Sequence, residues 1–207
     1  MSLSAYHHRF VPATDAGTPP VLLLHGTGGD ENDLLPLGRE LFPGSSLLAP
    51  RGDVSENAAP RFFRRITEGV FDLDDVRRRA ATLAAFLAAA AGQYHFDAPR
   101  LTAVGFSNGA NMAAILLQLH PGSLAGGVLF RPMVVLDEPA AAGSLSGRRV
   151  LLVNGTRDPI VPADHPARLA ALLGAGGARV TAERVAAGHG LTPADIAAAE
   201  SWLPRGD

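Results

Sequence analysis

The chain has 207 residues, with 18 Lys+Arg against 20 Asp+Glu and no cysteine. That length suits one domain spanning 1–207, large enough to bury a core without staples. The missing cysteine excludes a disulfide framework, a thiolate zinc site and a Cys nucleophile, and the formal net charge of −2 gives no footing for nucleic acid or another polyanion.

The first residues, 1–10, hold two histidines and an arginine but no apolar h-region, so no signal peptide is expected. The longest apolar stretch, residues 80–92, is alanine-rich and well short of the ~20 residues that cross a bilayer. A soluble, cytoplasmic protein without membrane insertion is the expectation. Residues 5–10 are read as an antiparallel edge strand. Residues 21–25 form the first clear buried strand, and the loop 26–33 leads to a helix ending near Leu41. A weaker strand at 46–49 precedes an irregular stretch, 50–70. Asp72 or Asp74 can cap a helix running to about Gly92. The basic run Arg77-Arg78-Arg79 lies at its start beside Asp74 and Asp75, which favours a solvated helix face over a nucleic-acid patch.

Further strands are read at 101–106, 127–130, 150–153 and 180–185, alternating with helices at 108–120, 163–173 and 193–202. This alternation predicts an α/β fold, a mostly parallel central sheet with helices on both faces. Ligands of such sheets bind at the carboxyl ends of the strands. The residues with chemical potential fall there.

Gly105-Phe-Ser107-Asn-Gly109 sits where a strand meets a helix. A nucleophile on such a turn takes a strained backbone conformation, and side chains two residues to either side would clash. A serine N-cap is the plain alternative, but it does not explain both glycines. A serine hydroxyl needs a base, and in a strand–turn–helix site of this kind the acid and then the histidine follow the serine in the chain. His189, between Gly188 and Gly190 after the last strand, is the candidate base, ahead of His165. Asp158, in the loop after the strand at 150–153, is the candidate acid, ahead of Asp164. It would hold the imidazole tautomer and stabilise its cation. The backbone N–H groups of Thr27 and Asn108 are the candidate oxyanion donors, and His25 is read as shaping the first loop rather than acting as a base. That loop lacks the third glycine of a dinucleotide fingerprint, since Glu31 stands there, and no phosphate loop or HExxH motif occurs.

Four segments together, Leu24-His-Gly-Thr-Gly-Gly-Asp-Glu, Gly105-Phe-Ser-Asn-Gly, Asn154-Gly-Thr-Arg-Asp and Gly188-His-Gly, resemble the phospholipase/carboxylesterase (acyl-protein thioesterase-like) family of the α/β hydrolases. The likeness runs from about Val21 to Trp202. Pro60-Arg-Phe-Phe-Arg-Arg and Phe130-Arg-Pro-Met133 look more like its small bacterial carboxylesterases, including those linked to hydroquinone or aromatic catabolism. The resemblance implies a Ser107–Asp158–His189 triad, donors at Thr27 and Asn108, no cofactor and no metal, and hydrolysis of small-molecule carboxylic esters. The short chain leaves no room for a large cap domain, so an open site with a minimal cap or none is expected, with 50–70 as the candidate partial lid and Phe62, Phe63 and Met133 as candidate acyl-pocket walls. Many relatives dimerise, so a homodimer is carried over, although no exposed apolar stripe argues it. A thioesterase or lysophospholipase using the same triad, and a non-catalytic binding protein of this fold, are the alternatives.

Overall fold

In the computed structural model, which describes residues 3–204, the chain forms eleven strands and five α-helices among the described residues. Strand β1 (His8–Val11) is followed by β2 (Val21–Leu24), helix α1 (Leu35–Leu41) and β3 (Leu47–Pro50). Two small hairpins come next, β4 (Val54–Glu56) with β5 (Ala59–Arg61) and β6 (Arg65–Thr67) with β7 (Val70–Phe71). Then follow α2 (Leu73–Tyr94), β8 (Thr102–Phe106), α3 (Asn108–Leu119), β9 (Gly126–Phe130), β10 (Arg149–Gly155), α4 (His165–Ala175), β11 (Arg179–Val185) and α5 (Pro193–Trp202).

Seven strands make one sheet in the order β1-β3-β2-β8-β9-β10-β11. All neighbours are parallel except β1, which pairs antiparallel with β3 at the edge, His8 opposite Pro50 and Val11 opposite Leu47. Strand side chains alternate between faces, so a parallel strand covered on both sides reads as an unbroken apolar run. In β2, Leu22 and Leu24 join the core under α2, α3 and α4, whereas Val21 and Leu23 join the core under α1 and α5.

The helix boundaries follow local chemistry. Asp72 caps α2 by accepting the Asp75 N–H at 3.1 Å, and Thr192 with Asp195 forms a capping box ahead of α5. The basic run is spoken for: Arg77 pairs with Glu138, Arg78 with the buried Asp75, and Arg79 with Asp53. No helix among the described residues is long and apolar enough to cross a membrane.

The sheet order places the site. From β2 the chain moves outward to β3, then returns across the sheet to β8 on the other side of β2. Connections at β2 and β8 therefore diverge, leaving a crevice at their carboxyl ends. The loop after β2 and the turn after β8 open into that crevice.

Candidate active site

Ser107 is the single residue between β8 and α3. Its φ of 51° and ψ of −114° lie outside the regions an L-residue readily adopts. The packing around it is tight. A Cβ on Gly109 would stand 2.0 Å from the Leu24 carbonyl oxygen, and one on Gly105 would stand 2.7 Å from the Ala110 backbone. The turn is therefore pressed against β2 on one side and its own helix on the other. The Ser107 amide is tied to Phe130 O at the end of β9 (2.8 Å), and the Ser107 carbonyl accepts the Asn111 N–H at 2.9 Å. Its hydroxyl makes no helix-capping bond, so the side chain is left for another partner.

That partner is His189. Ser107 Oγ lies 2.8 Å from His189 Nε2, and His189 Nδ1 lies 2.9 Å from Asp158 Oδ2. A carboxylate beside Nδ1 fixes the proton on that nitrogen, so Nε2 carries a lone pair facing the serine hydroxyl. The other carboxylate oxygen, Oδ1, accepts the amides of Ile160 at 2.8 Å and Val161 at 3.2 Å. Burial pulls the Asp158 carboxyl up, but the Ile160 amide, His189 and the Val161 amide outweigh it and hold the group below the ordinary aspartate value. The arrangement can accept a proton from Ser107 and stabilise the imidazolium that results.

Asp164 and His165 lie outside this cluster. Asp164 pairs with Arg168 on the surface, and His165 Nδ1 accepts the Val134 amide at 3.1 Å. His25 is buried between the Gly26 carbonyl and the Gly52 amide, which donates to Nε2 at 2.9 Å. Burial holds its imidazole below the ordinary histidine value, so it is a neutral strut under the first loop.

The amide of Asn108 is the first of helix α3, where no intrahelical acceptor exists. Neither it nor the Thr27 amide takes a partner among the described residues, and both residues line the crevice above Ser107. A third contributor was not singled out by residue type in the sequence. Arg61, 3 % exposed, lines the crevice and donates from Nη1 to Thr27 Oγ1 at 2.7 Å. Its signal was there, since it precedes Phe62 in the Pro60-Arg-Phe-Phe segment, but nothing in the pattern shows which way its side chain turns.

The cavity measures about 230 Å³ and is lined by Ser107, His189, Asn111, Met133, Phe106 and Ile160, with Arg65, Glu68 and Phe71 towards the mouth. Met133, one of the candidate pocket walls, lies in this lining. Phe62 and Phe63 do not: both are fully buried and absent from the lining. Phe62 packs against His25 at 4.8 Å and Phe63 against Phe71 at 5.5 Å between ring centroids, so they prop the wall from behind. The backbone they belong to is docked, its Phe62 amide bonded to Asn108 Oδ1, and two large apolar rings beside it gain more from the core than from a polar crevice. The expected partial lid resolves into two parts. The first hairpin is bonded into the site, whereas β6–β7, with Ile66 71 % exposed, forms a raised rim.

No cluster of three or more His, Asp or Glu among the described residues could hold a metal ion.

No family model matches the chain. It is 41 % identical over 182 residues to the inferred hydrolase MhqD of Bacillus subtilis (strain 168), covering 88 % of this chain and 90 % of that protein. Among solved structures, the Bacillus cereus carboxylesterase superposes with a TM-score of 0.92 at 43 % identity, over 95 % of this chain and 92 % of the other. The carboxylesterase of Mesorhizobium loti gives 0.87 at 34 % identity, over 96 % and 94 %. The chain belongs to the α/β hydrolases, in their phospholipase/carboxylesterase family.

Proposed function

We propose that this protein is a serine carboxylesterase for short carboxylic esters, with Ser107 as nucleophile, His189 as general base and acid, and Asp158 as the acid that orients His189. The observation that carries the reading is the continuous chain Ser107 Oγ–His189 Nε2 at 2.8 Å and His189 Nδ1–Asp158 Oδ2 at 2.9 Å. In the first step Ser107 Oγ adds to the ester carbonyl while its proton passes to Nε2. The tetrahedral oxyanion is received by the backbone N–H groups of Thr27 and Asn108. Collapse breaks the ester C–O bond, and His189 returns the proton to the departing alcohol. A water, deprotonated by the same imidazole, then cleaves the Ser107 acyl ester and releases the acid.

The cavity's volume of about 230 Å³ and the charged pair Arg65 and Glu68 at its mouth favour a short acyl group over a long alkyl chain. Turnover of p-nitrophenyl esters from acetate to palmitate, with Ser107→Ala as control, tests the reading. The expected result is activity on acetate and butyrate, little on palmitate, and a loss of roughly 10³-fold or more in the variant. Undiminished turnover in Ser107→Ala would remove the nucleophile from the scheme. A higher kcat/KM on acyl thioesters than on matched oxygen esters would move the activity to the thioesterases.

A further inference from the structure

His189 sits between two glycines for which the structure shows little steric demand. A Cβ on Gly190 would meet nothing within 4 Å, and one on Gly188 would meet only the Arg157 carbonyl at 3.9 Å. The two glycines therefore add no side-chain packing of their own to hold the imidazole. Besides Asp158, which bonds the ring itself, a side chain that holds the loop on both sides of His189 is Arg131, the residue after β9, fully buried and held in the left-handed region at φ 56°.

Its guanidinium has five N–H donors in a rigid fork. Nε donates to Gly188 O at 2.9 Å and Nη2 to Gly190 O at 3.0 Å, the carbonyls on either side of His189. Nη1 donates to Val153 O at 3.2 Å, and the two terminal nitrogens grip Asp195 at 2.6 and 2.9 Å. All five donors are thus used. Asp195 is buried as completely, and its Oδ2 also accepts the Thr192 amide and hydroxyl, each at 2.8 Å. The loop is held on both flanks of His189 and again where it enters α5. The Arg131 amide donates to Val153 O at 2.8 Å, which ties the clamp to β10, the strand that leads to Asp158.

We infer that Arg131, locked by Asp195, is the positioning residue for His189: it fixes the base against Ser107 by holding the carbonyls of Gly188 and Gly190. The inference rests on the triad reading above. An ion pair with no exposure is weak evidence for stability, because desolvation cancels much of the attraction. Its use here is geometric. Misplacing a base by about 1 Å costs on the order of 10²-fold in rate, while a substrate bound by the cavity walls would not register the change.

Two variants test this beside Ser107→Ala. Arg131→Lys keeps the charge opposite Asp195 but cannot reach both carbonyls and the carboxylate. Arg131→Met/Asp195→Leu removes the pair together and leaves Asp158, whose Oδ2 lies 4.0 Å from Arg131 Nε, with its bonds to His189 and to the Ile160 and Val161 amides. The expected result is a kcat lower by about 10–100-fold in each, KM within about twofold of wild type, and correspondingly slower labelling by a fluorophosphonate. Wild-type kcat and labelling rate in a folded double variant would overturn the clamp. If the double variant does not fold, Arg131→Lys decides on the same readings. A fall in kcat/KM made wholly by KM would overturn it as well. Retained turnover in Ser107→Ala would instead overturn the triad, and the clamp with it. Loss in Ser107→Ala with unchanged Arg131 variants overturns the clamp alone.

Discussion

Arg61 and Thr27, 34 residues apart in the chain, meet at 2.7 Å through a guanidinium nitrogen and a threonine hydroxyl. Arg61 is one of three consecutive residues docked on the site. The Pro60 carbonyl accepts the Gly28 N–H at 3.0 Å, and the Phe62 N–H donates to Asn108 Oδ1 at 2.8 Å. The segment 60–62 therefore bonds to both loops proposed to supply the oxyanion donors. It cannot lift away as a lid without disturbing them. Arg61→Met, which strips Thr27 of this partner, is expected to lower kcat by roughly tenfold on short esters. Glu56 keeps its pairing with Arg65 in that variant, but Phe63 O loses the Arg61 Nε donor at 3.3 Å, so a stability loss of about 1 kcal/mol is expected beside the effect on kcat. An unaltered kcat in steady-state assays would show that the hairpin is scaffold only.

Asn108 offers the converse experiment. Asn108→Ala retains the backbone N–H but removes the acceptor for the buried Phe62 amide. Leaving that donor unpaired should cost about 1–3 kcal/mol in urea unfolding, with kcat reduced and the acyl-length preference kept. A variant as stable as wild type would mean that the Phe62 amide finds another acceptor.

The turn at Ser107 sets activity against backbone strain. Its φ of 51° suits glycine, yet the residue there carries the hydroxyl proposed as nucleophile. Ser107→Gly and Ser107→Ala should both lose turnover, but the glycine variant should be the more stable by about 0.5–1 kcal/mol in denaturant melts. Equal stability of the two would indicate that the neighbouring packing, not the side chain, carries the strain.

How far this was legible depends on whether chemistry or close packing writes itself into local pattern. Gly105 and Gly109 flank Ser107 because backbone stands where their side chains would be, and such exclusions leave a short, readable signature. Parallel strands buried on both faces leave apolar runs, so β2, β8 and β10 were visible within a residue or two. The four hairpin strands between 54 and 71 were not, being two or three residues long and too short for any alternation to register. Phe62 and Phe63 looked like pocket walls because an aromatic pair in an irregular stretch carries no directional information. The reach of Arg131 to a loop 57 residues further on is a tertiary fact, and in the sequence it was only part of a family-like Phe-Arg-Pro-Met.

The same exclusion yields a contrast between glycines. At Gly109 the obstructing atom is a β2 carbonyl oxygen 2.0 Å from the added Cβ, which cannot rotate away. Gly109→Ala should therefore cost about 3 kcal/mol or more, a large part of the ~5–15 kcal/mol available to a domain. Gly190→Ala meets open space and should stay within about 0.5 kcal/mol of wild type. Comparable losses at both positions would contradict the packing described for the Ser107 turn.

The loop after β2 also carries a pH-dependent brace. Glu31, 5 % exposed, receives Arg51 Nε at 2.6 Å and Nη2 at 2.9 Å, joining the loop to the end of β3. The bidentate hydrogen bonds from Arg51 outweigh the effect of burial and, with the residue's own amide and the nearby positive charge, bring the Glu31 carboxyl down to about 2. A carboxyl depressed in the folded state adds stability above its unfolded value, near 4.3, and loses it as pH falls towards the folded value. Arg51 is half-exposed, so screening reduces the contribution to about 1–2 kcal/mol. Glu31→Gln should therefore unfold at lower urea than wild type at pH 6, with the gap closing between about pH 5 and pH 2. A gap that stays constant down to pH 2 would assign the loss to packing or neutral hydrogen bonding instead of to the charge on Glu31.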